Sequence, residues 1–436
     1  MAIDNIKVYA HLSDEDIAEI GRRLDEIKND IMSDLGPKDV GYIKNLIRLQ
    51  RSLEVAGRLT LLFSGNKPFW WAGTSMLTFA KILENLEIGH NVLHGQWDWM
   101  NDPEIHSTTW EWDIVCPSSQ WMHSHNYVHH TFTNVLGMDN DVGYGILRVT
   151  RDKKWSPLNA FQPVINPVLA SVFQWAVGYY DVELGRFFSG RVQWKDIEEK
   201  FWETTTKAGK QTLRDYVLYP ALSGRNFKST IVANLTANTL RSVWAYAVIF
   251  CGHFPDEVET FTKEQFKNED HNQWYLRQML GSANFHGGKL LTILSGNLNY
   301  QIEHHLFPDM PSNRLAEAGE KVRALCSEFH LPYNVDSFPA QLFKVQKTLL
   351  KLTLPNKYLL ADPDNAPEVR SNRAFEKNPQ IESQLLHGEH NGQRRGLIHG
   401  LGMLKQLRPG VKDVIMHYTG RTPQRMAKRA RVALAR

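Results

Sequence analysis

Residues 121–134 read Trp-Met-His-Ser-His-Asn-Tyr-Val-His-His-Thr-Phe-Thr-Asn. Three imidazoles, His125, His129 and His130, fall within six residues. On a helix, positions i and i+4 share a face and i+5 lies beside i+4. One face therefore carries His125 and His129, with His130 angled towards a neighbouring centre. Chance is a weak explanation. With 18 His in 436 residues, a His-x-x-x-His-His pattern arises about 0.03 times at random, and a bare His-x-x-x-His about 0.7 times. The triple reads as the middle part of a metal site whose other ligands come from elsewhere in the chain.

Moving towards the N-terminus, Glu87-Ile-Gly-His-Asn-Val-Leu-His94 places Glu87, His90 and His94 three and four residues apart, with Glu84 one turn earlier. Two imidazoles at this spacing can share one metal, and a neighbouring carboxylate can hold the second ring nitrogen and fix the tautomer. Moving the other way, Asn297-Leu-Asn-Tyr-Gln-Ile-Glu-His-His-Leu-Phe-Pro308 ends in the adjacent pair His304 and His305, each free to serve a different metal. Gln301 stands where a further histidine would be expected, and suits a metal-bound water better than direct ligation. His253 closes an apolar run at Cys251-Gly-His-Phe-Pro255 and is an eighth candidate. Met138-Asp-Asn-Asp141 offers Asp139 and Asp141 as acceptors for ligand ring nitrogens, or as a solvated acidic turn. His106, His123 and His286 read as bystanders, His123 because it points off the ligand face and His286 as a turn residue.

Eight imidazoles are too many for one ion. Zinc sites take about four ligands, so the set implies two metals. Imidazole suits Zn, Cu, Fe and Ni alike. A greasy, Trp-rich surround favours oxygen chemistry and hence iron. Soluble di-iron bundles use two Glu-x-x-His pairs; here only Glu87 with His90 has that spacing, so any di-iron site is nitrogen-rich.

The rest of the chain bounds this reading. Net charge is +3, so no strong field points to nucleic acid, and none is expected as a partner. Mean hydropathy is −0.39, an average diluted by polar ends. The three cysteines, Cys116, Cys251 and Cys326, are far apart, which excludes a disulfide framework or a Cys-ligated cluster within the chain. No cleaved signal peptide is expected at Met1.

Residues 1–54 read as an amphipathic helical region, with Ser13 as N-cap and Ile17, Ile20, Leu24, Ile27 and Ile31 as its stripe. Residues 55–358 form a membrane domain. Residues 69–88 are long enough to cross a bilayer, although they carry Lys81, Glu84 and Glu87, and 161–180, 213–228 and 231–250 offer further crossings. Crossing at 161–180 and 231–250, or at about 213–228 and 231–250, returns the chain to the same side at His253. No membrane-length run separates the first box from the second or His253 from the third, so all face one compartment. Residues 359–396 are rich in Asn, Asp, Pro, Glu and Gln and read as a flexible linker. Residues 397–436 form a basic tail suited to anionic headgroups; 394–436 hold 11 Lys or Arg against one acid, Asp413. The fold class expected is all-α, with membrane helices carrying a cytosolic helical cap around the histidines.

Three boxes, H-x-x-x-H, H-x-x-x-H-H and Q-x-x-H-H, in this order, resemble the integral-membrane fatty acid desaturases. The stretch 87–113, with Ile249-Phe-Cys-Gly-His-Phe-Pro255 and Gly281-Ser-Ala-Asn-Phe285, is similar to the actinobacterial acyl-CoA desaturases of the stearoyl-CoA delta-9 type. The Gln301–Pro308 run also resembles front-end desaturases, without their fused haem domain. The resemblance implies two non-haem iron ions held by His90, His94, His125, His129, His130, His253, His304 and His305. It also implies O2 as co-substrate, and removal of two hydrogens from adjacent methylenes of a long-chain acyl-CoA or other acyl lipid to leave a cis double bond. No nucleotide fingerprint, cysteine cluster or haem motif is present, so two electrons must come from a separate reductase drawing on NADPH. The cell membrane, with the site facing the cytosol, is the expected location. Alternatives are a membrane hydroxylase or epoxidase with the same metal chemistry, a zinc-dependent membrane hydrolase, and a metal transporter. The hydrolase would need a general base that neither His-x-x-x-His box contains.

Overall fold

The computed structural model describes residues 6–359 apart from Asp256 and Asn268. The expected linker at 359–396 and basic tail at 397–436 lie outside the described residues, save Leu359.

The helix Asp14–Ser33 starts where the chain supplies a cap. Ser13 Oγ accepts from the Asp16 amide at 3.1 Å, and three acids fill the first turn. Its apolar stripe, Ile17, Ile20, Leu24 and Ile31, is buried against Leu276, Met279, Ile302, Leu306, Val322 and their neighbours. The N-terminal helix therefore packs on His271–Leu280 and Leu315–Glu328, the two helices that flank the third histidine box. Tyr9 Oη and Tyr275 Oη fasten the same contact, donating to Leu276 O at 3.1 Å and to Asp25 Oδ1 at 2.7 Å. The next helix, Pro37–Leu61, begins with Pro at its first position and runs unbroken through residue 54.

Three long elements then pack side by side: Pro37–Leu61, Lys67–Ile82 and Phe227–His253. A Cβ added at Gly57 would meet Gly73 O at 3.2 Å, and one at Gly73 would meet Leu61 Cγ at 2.8 Å. Only glycine at both positions lets the first two backbones approach this closely. Their turn is tied to the third helix by Asn226 Nδ2 donating to Leu62 O at 2.6 Å and Trp70 Nε1 donating to Ser229 O at 3.2 Å. The Phe227–His253 helix is 27 residues long, about 40 Å at 1.5 Å per residue. It carries Asn234, Asn238 and Arg241 on its buried side. Among the described residues no helix is long and apolar enough to cross a membrane. The apolar stretch 161–180 is split: Gln162–Ser171 ends at Val172, whose φ of −115° leaves the helical region, and Phe173–Asp181 follows.

The chain is mostly helical, with one small departure from all-α. Asn284–His286 and Val335–Ser337 pair in parallel, so His286 ends a short strand instead of lying in a turn. The pair is fixed by its side chains. Asn284 Nδ2 donates to Tyr333 Oη at 2.7 Å and to Glu303 Oε2 at 2.8 Å, which anchors the strand beside the third box. Leu315–Glu328 and Phe338–Lys351 complete the cap.

Candidate metal centre

The first and second boxes are wound differently from the α-helices assumed above. Leu83–His90 and Met122–His129 are π-helical, with i→i+5 hydrogen bonds. Such wide turns are rare and concentrate at functional sites. His125 and His129 lie inside the second of these, with ring centroids 5.0 Å apart at 24°. His90 and His94 instead span the α-helical turn that follows the first, the His94 amide donating to His90 O at 3.1 Å and the ring centroids standing 4.6 Å apart. The third box is a short α-helix, Gln301–Leu306.

These elements bring together all eight expected histidines. Ligand nitrogens of His90, His94, His125 and His304 lie within 4.8 Å of one another, as do those of His129, His253 and His305. His130 stands between the groups, its ring 4.4 Å from that of His305, 4.8 Å from His94 and 5.0 Å from His304. The adjacent pair His304 and His305 divides between the groups, as its spacing suggested. His125 falls in the first group and His129 in the second, yet the two also keep the shared face that their spacing suggested. They form a third group with Asp141, whose Oδ2 lies 3.4 Å from His125 Nδ1 and 3.8 Å from His129 Nδ1.

Orphaned atoms test whether a metal fits. Buried polar atoms are nearly always paired. Here the Nε2 atoms of His94, His125, His129 and His305, and both ring nitrogens of His130 and His304, are buried without a hydrogen-bond partner. The opposite nitrogen of several of these rings is held by an oxygen. His129 Nδ1 lies 3.1 Å from both oxygens of Asp139, His125 Nδ1 3.4 Å from Asp141 Oδ2, His305 Nδ1 2.9 Å from Gln278 Oε1, and His90 Nδ1 3.0 Å from Asn91 Oδ1. An oxygen acceptor keeps the proton on Nδ1 and leaves the Nε2 lone pair free, the arrangement of a metal-binding imidazole. Asp139 is itself fixed by the amides of Asn134 and Asp141, both at 2.8 Å.

Electrostatics favour the same protonation state. Burial, followed by the other imidazoles, holds His94, His125, His130, His304 and His305 well below the usual histidine range; burial and His129 do the same to His253. Burial likewise lowers His90 to about 4. Neutral imidazole is the form that ligates. His129 differs: burial pushes it down, but the Asp139 carboxylate more than reverses this.

The flanking residues behave less uniformly. Glu87 does not hold a ring nitrogen. Its carboxylate accepts from Tyr42 Oη at 2.8 Å, Ser312 Oγ at 2.7 Å and Asn297 Nδ2 at 2.8 Å, bracing the first box against three other segments. Glu84 stands apart from both groups and lines an outer cleft with Trp110; six residues from His90, it does not share that residue's face. Gln301 Nε2 lies 3.2 Å from His253 Nε2, and its side chain presses on Gly252, where a Cβ would come within 2.7 Å. His123 is exposed and stacks on Tyr127, His286 is exposed, and His106 is turned to Thr108. Sequence reasoning missed Asn91 and Gln278. Asn91 follows His90 and was open to notice; nothing in the sequence links Gln278 to His305.

A narrow buried cavity opens beside the histidines. His90, His125, His253 and Gln301 form one part of its wall, and Phe173, Ala245, Ile249 and Leu298 contribute apolar surface. Trp121 lies flat on His125, with centroids 4.4 Å apart at 19°, and screens the first group. Such a place suits a long apolar substrate laid alongside two metals.

Comparison with known proteins agrees with this geometry. Residues 68–337 match the fatty acid desaturase family. The NADPH-dependent stearoyl-CoA 9-desaturase of Mycobacterium tuberculosis is 52% identical over 379 residues, 86% of this chain and 89% of that protein. Fatty acid desaturase 3 of Bos taurus is 25% identical over 246 residues, 54% of this chain and 50% of the other. The sn-1 linoleoyl-lipid 6-desaturase of Synechocystis is 24% identical over 280 residues, 62% and 76% respectively. A matched domain covering more than half the chain and a relative this similar along nearly its whole length lead to one assignment: the chain belongs to the fatty acid desaturases and is an oxidoreductase acting on fatty acyl groups.

Proposed function

We propose that this desaturase introduces a cis double bond into a long-chain acyl-CoA, of the stearoyl type, at a di-iron centre on the cytosolic side of the cell membrane. The observation that carries this reading is the pair of buried histidine groups, with ring nitrogens left without hydrogen-bond partners, beside one narrow cavity. A nitrogen-rich donor set with free Nε2 lone pairs fits two iron ions held by His90, His94, His125 and His304 on one side and His129, His253 and His305 on the other, with His130 between them. The bound iron would supply O2 reduction and removal of the two hydrogens.

The remaining work belongs to the chain. Asp139, Asp141, Gln278 and Asn91 orient the rings. Trp121, Phe173 and Leu298 line the acyl cavity with apolar surface and keep water from the reacting methylenes. Gln301, beside His253, has an orphaned Oε1 suited to a metal-bound water. The reaction consumes two electrons and two protons with each O2. A separate NADPH-dependent reductase is the expected donor, in keeping with the name of the M. tuberculosis relative.

Membrane residence is supported by the outward faces of the three long elements. Leu59, Phe63, Trp71, Val232 and Leu235 are each more than half exposed. Contiguous apolar surface of this kind marks a lipid or protein contact. Lys81, Asn234, Asn238 and Arg241 turn inward instead, which explains how a low average hydropathy coexists with an apolar exterior.

The test is metal analysis with product analysis. Purified protein should hold about two iron per chain, since eight imidazoles exceed one ion's needs. With a reductase, NADPH, O2 and stearoyl-CoA it should release a cis-monounsaturated product identified by mass spectrometry. Full activity with zinc alone, or with a single ion per chain, would sink the di-iron reading.

A further inference from the structure

Next to the buried cavity lies an open cleft, between the helices Pro37–Leu61 and Trp194–Leu213. Cavity and cleft share two wall residues, Trp112 and Ile114. A third element of the partition is a contact across it. Gln174 lines the cavity, Gln211 lines the cleft, and Gln211 Nε2 donates to Gln174 Oε1 at 3.4 Å. We infer that the acyl chain enters the cavity from this cleft, past Ile114 and through the Gln174–Gln211 contact, with Trp112 as the fixed jamb. The inference rests on the function proposed above and assigns its substrate an entrance.

The parts of the partition differ in how firmly they are held. Trp112 Nε1 donates to Cys116 O at 2.8 Å, and its ring packs on Trp121 with centroids 4.8 Å apart. The Ile114 side chain is buried in the same apolar cluster, held by packing alone with no hydrogen bond. The glutamine pair is a neutral contact at the outer limit of hydrogen-bond length. Gln211 keeps a second bond, to Asp113 O at 3.1 Å, and its Oε1 is buried without a partner. It can give up Gln174 and stay anchored. The two sides of the partition also match the two ends of an amphiphile. The cavity has Phe173, Ala245, Ile249 and Leu298 in its wall, whereas the cleft is lined by charges of both signs, Arg51, Lys210 and Arg214 with Glu54, Glu104 and Glu111 among them. A chain threaded this way leaves its polar carrier end in the polar cleft and lays its methylenes beside His90 and His125.

Thiol protection tests the route. The three native cysteines are buried away from both spaces, whereas Ile114 and Gln211 line the open cleft, so a cysteine introduced there is the one a probe in the cleft reaches. Ile114→Cys and Gln211→Cys are made in the iron-loaded protein, with Glu328→Cys, which lines neither space, as control. Iron content reports that each variant has folded. Saturating stearoyl-CoA should slow modification by a charged methanethiosulfonate severalfold at 114 and 211 and leave 328 unchanged. Ile114→Trp should raise KM severalfold at unchanged iron content. If stearoyl-CoA is desaturated yet leaves modification at 114 and 211 unchanged, the chain enters elsewhere and the inference is wrong. If wild-type protein with reductase does not desaturate stearoyl-CoA at all, the proposed function itself has failed.

Discussion

Two polar clusters are buried in this protein, and they are built on opposite plans. Around Asp113 and Asp215, charges satisfy one another. Lys81 Nζ donates to Asp113 Oδ2 at 2.9 Å and to Asp215 Oδ2 at 3.0 Å; Arg58 and Arg214 donate to Asp215 at 3.0 and 3.1 Å, and Asn238 adds a further bond at 3.1 Å. Of these guanidinium and carboxylate atoms, only Arg58 Nε lacks a partner. Around His129 and His304, by contrast, ring nitrogens are buried without hydrogen-bond partners. Imidazoles brought this close do not attract, and their burial costs free energy. The first cluster is complete as it stands and holds three helices together. The second is complete only with a partner of positive charge that accepts nitrogen lone pairs. An unsatisfied buried cluster therefore says more about function than a satisfied one of equal size.

The contrast breaks first at the histidines. His129→Ala and His304→Ala should each abolish desaturation and lower iron content, while the protein still inserts and folds. His123→Ala, on the exposed ring beside Tyr127, should leave both nearly unchanged. Equal losses from all three variants would mean that the cluster has no special standing. One step outward, Asp139→Asn keeps the shape but weakens the acceptor that orients His129. It should cost about 10–100-fold in activity or iron affinity, as outer partners of metal-bound histidines usually do. Full activity and normal iron content in that variant would show that the ring is oriented by the metal alone.

The charged cluster should fail in a different way. Lys81→Met leaves Asp113 and Asp215 facing each other across a lost cation. Removing one member of a buried pair costs about 3–5 kcal/mol. Thermal unfolding should shift strongly downward, while iron bound per folded molecule stays unchanged. A loss of iron without a loss of stability would assign Lys81 to the centre and erase the distinction between the clusters.

The sequence showed the ligands better than their arrangement. Spacing of three, four and five residues sets which side chains leave a helix together, and the boxes were legible for that reason. Which groups His125 and His129 join was not, because the residues that complete each group come from distant segments, and the π-helical winding of the second box was not foreseen either. Nothing in residues 83–90 or 122–129 announces that wider winding. Glu87 was misread for a related reason. Its spacing from His90 suggested a ring partner, but Tyr42, Asn297 and Ser312 reach it from segments far away in the chain, and no local pattern reveals them. The apolar runs were legible, but among the described residues none forms a helix long and apolar enough to cross a membrane, and the charge at Lys81 made sense only once it was seen to meet Asp113 and Asp215.

The smallest expected effect lies where the N-terminal region is clamped over the third box. Asp39 is fully buried in the first turn of the Pro37–Leu61 helix. Arg314 Nε and Nη2 donate to its two oxygens at 2.7 and 2.9 Å, Asn313 Nδ2 donates at 2.7 Å, and the Gly36 amide at 2.9 Å. Burial pushes this carboxyl up, but Arg314, Asn313 and Gly36 together hold it down at about 2. In the unfolded chain an aspartate titrates near 3.9. The folded value is the lower one, so the clamp stabilises the protein above about pH 4 and loses that contribution as pH falls towards 2. The difference corresponds to about 2 kcal/mol. Asp39→Asn should therefore lower the thermal midpoint at pH 7, and the gap from wild type should narrow steadily between pH 4 and pH 3. Iron content should not change, because Asp39 touches neither histidine group. A gap that is constant across this range would mean that shape alone, and not the carboxylate charge, holds the cap in place.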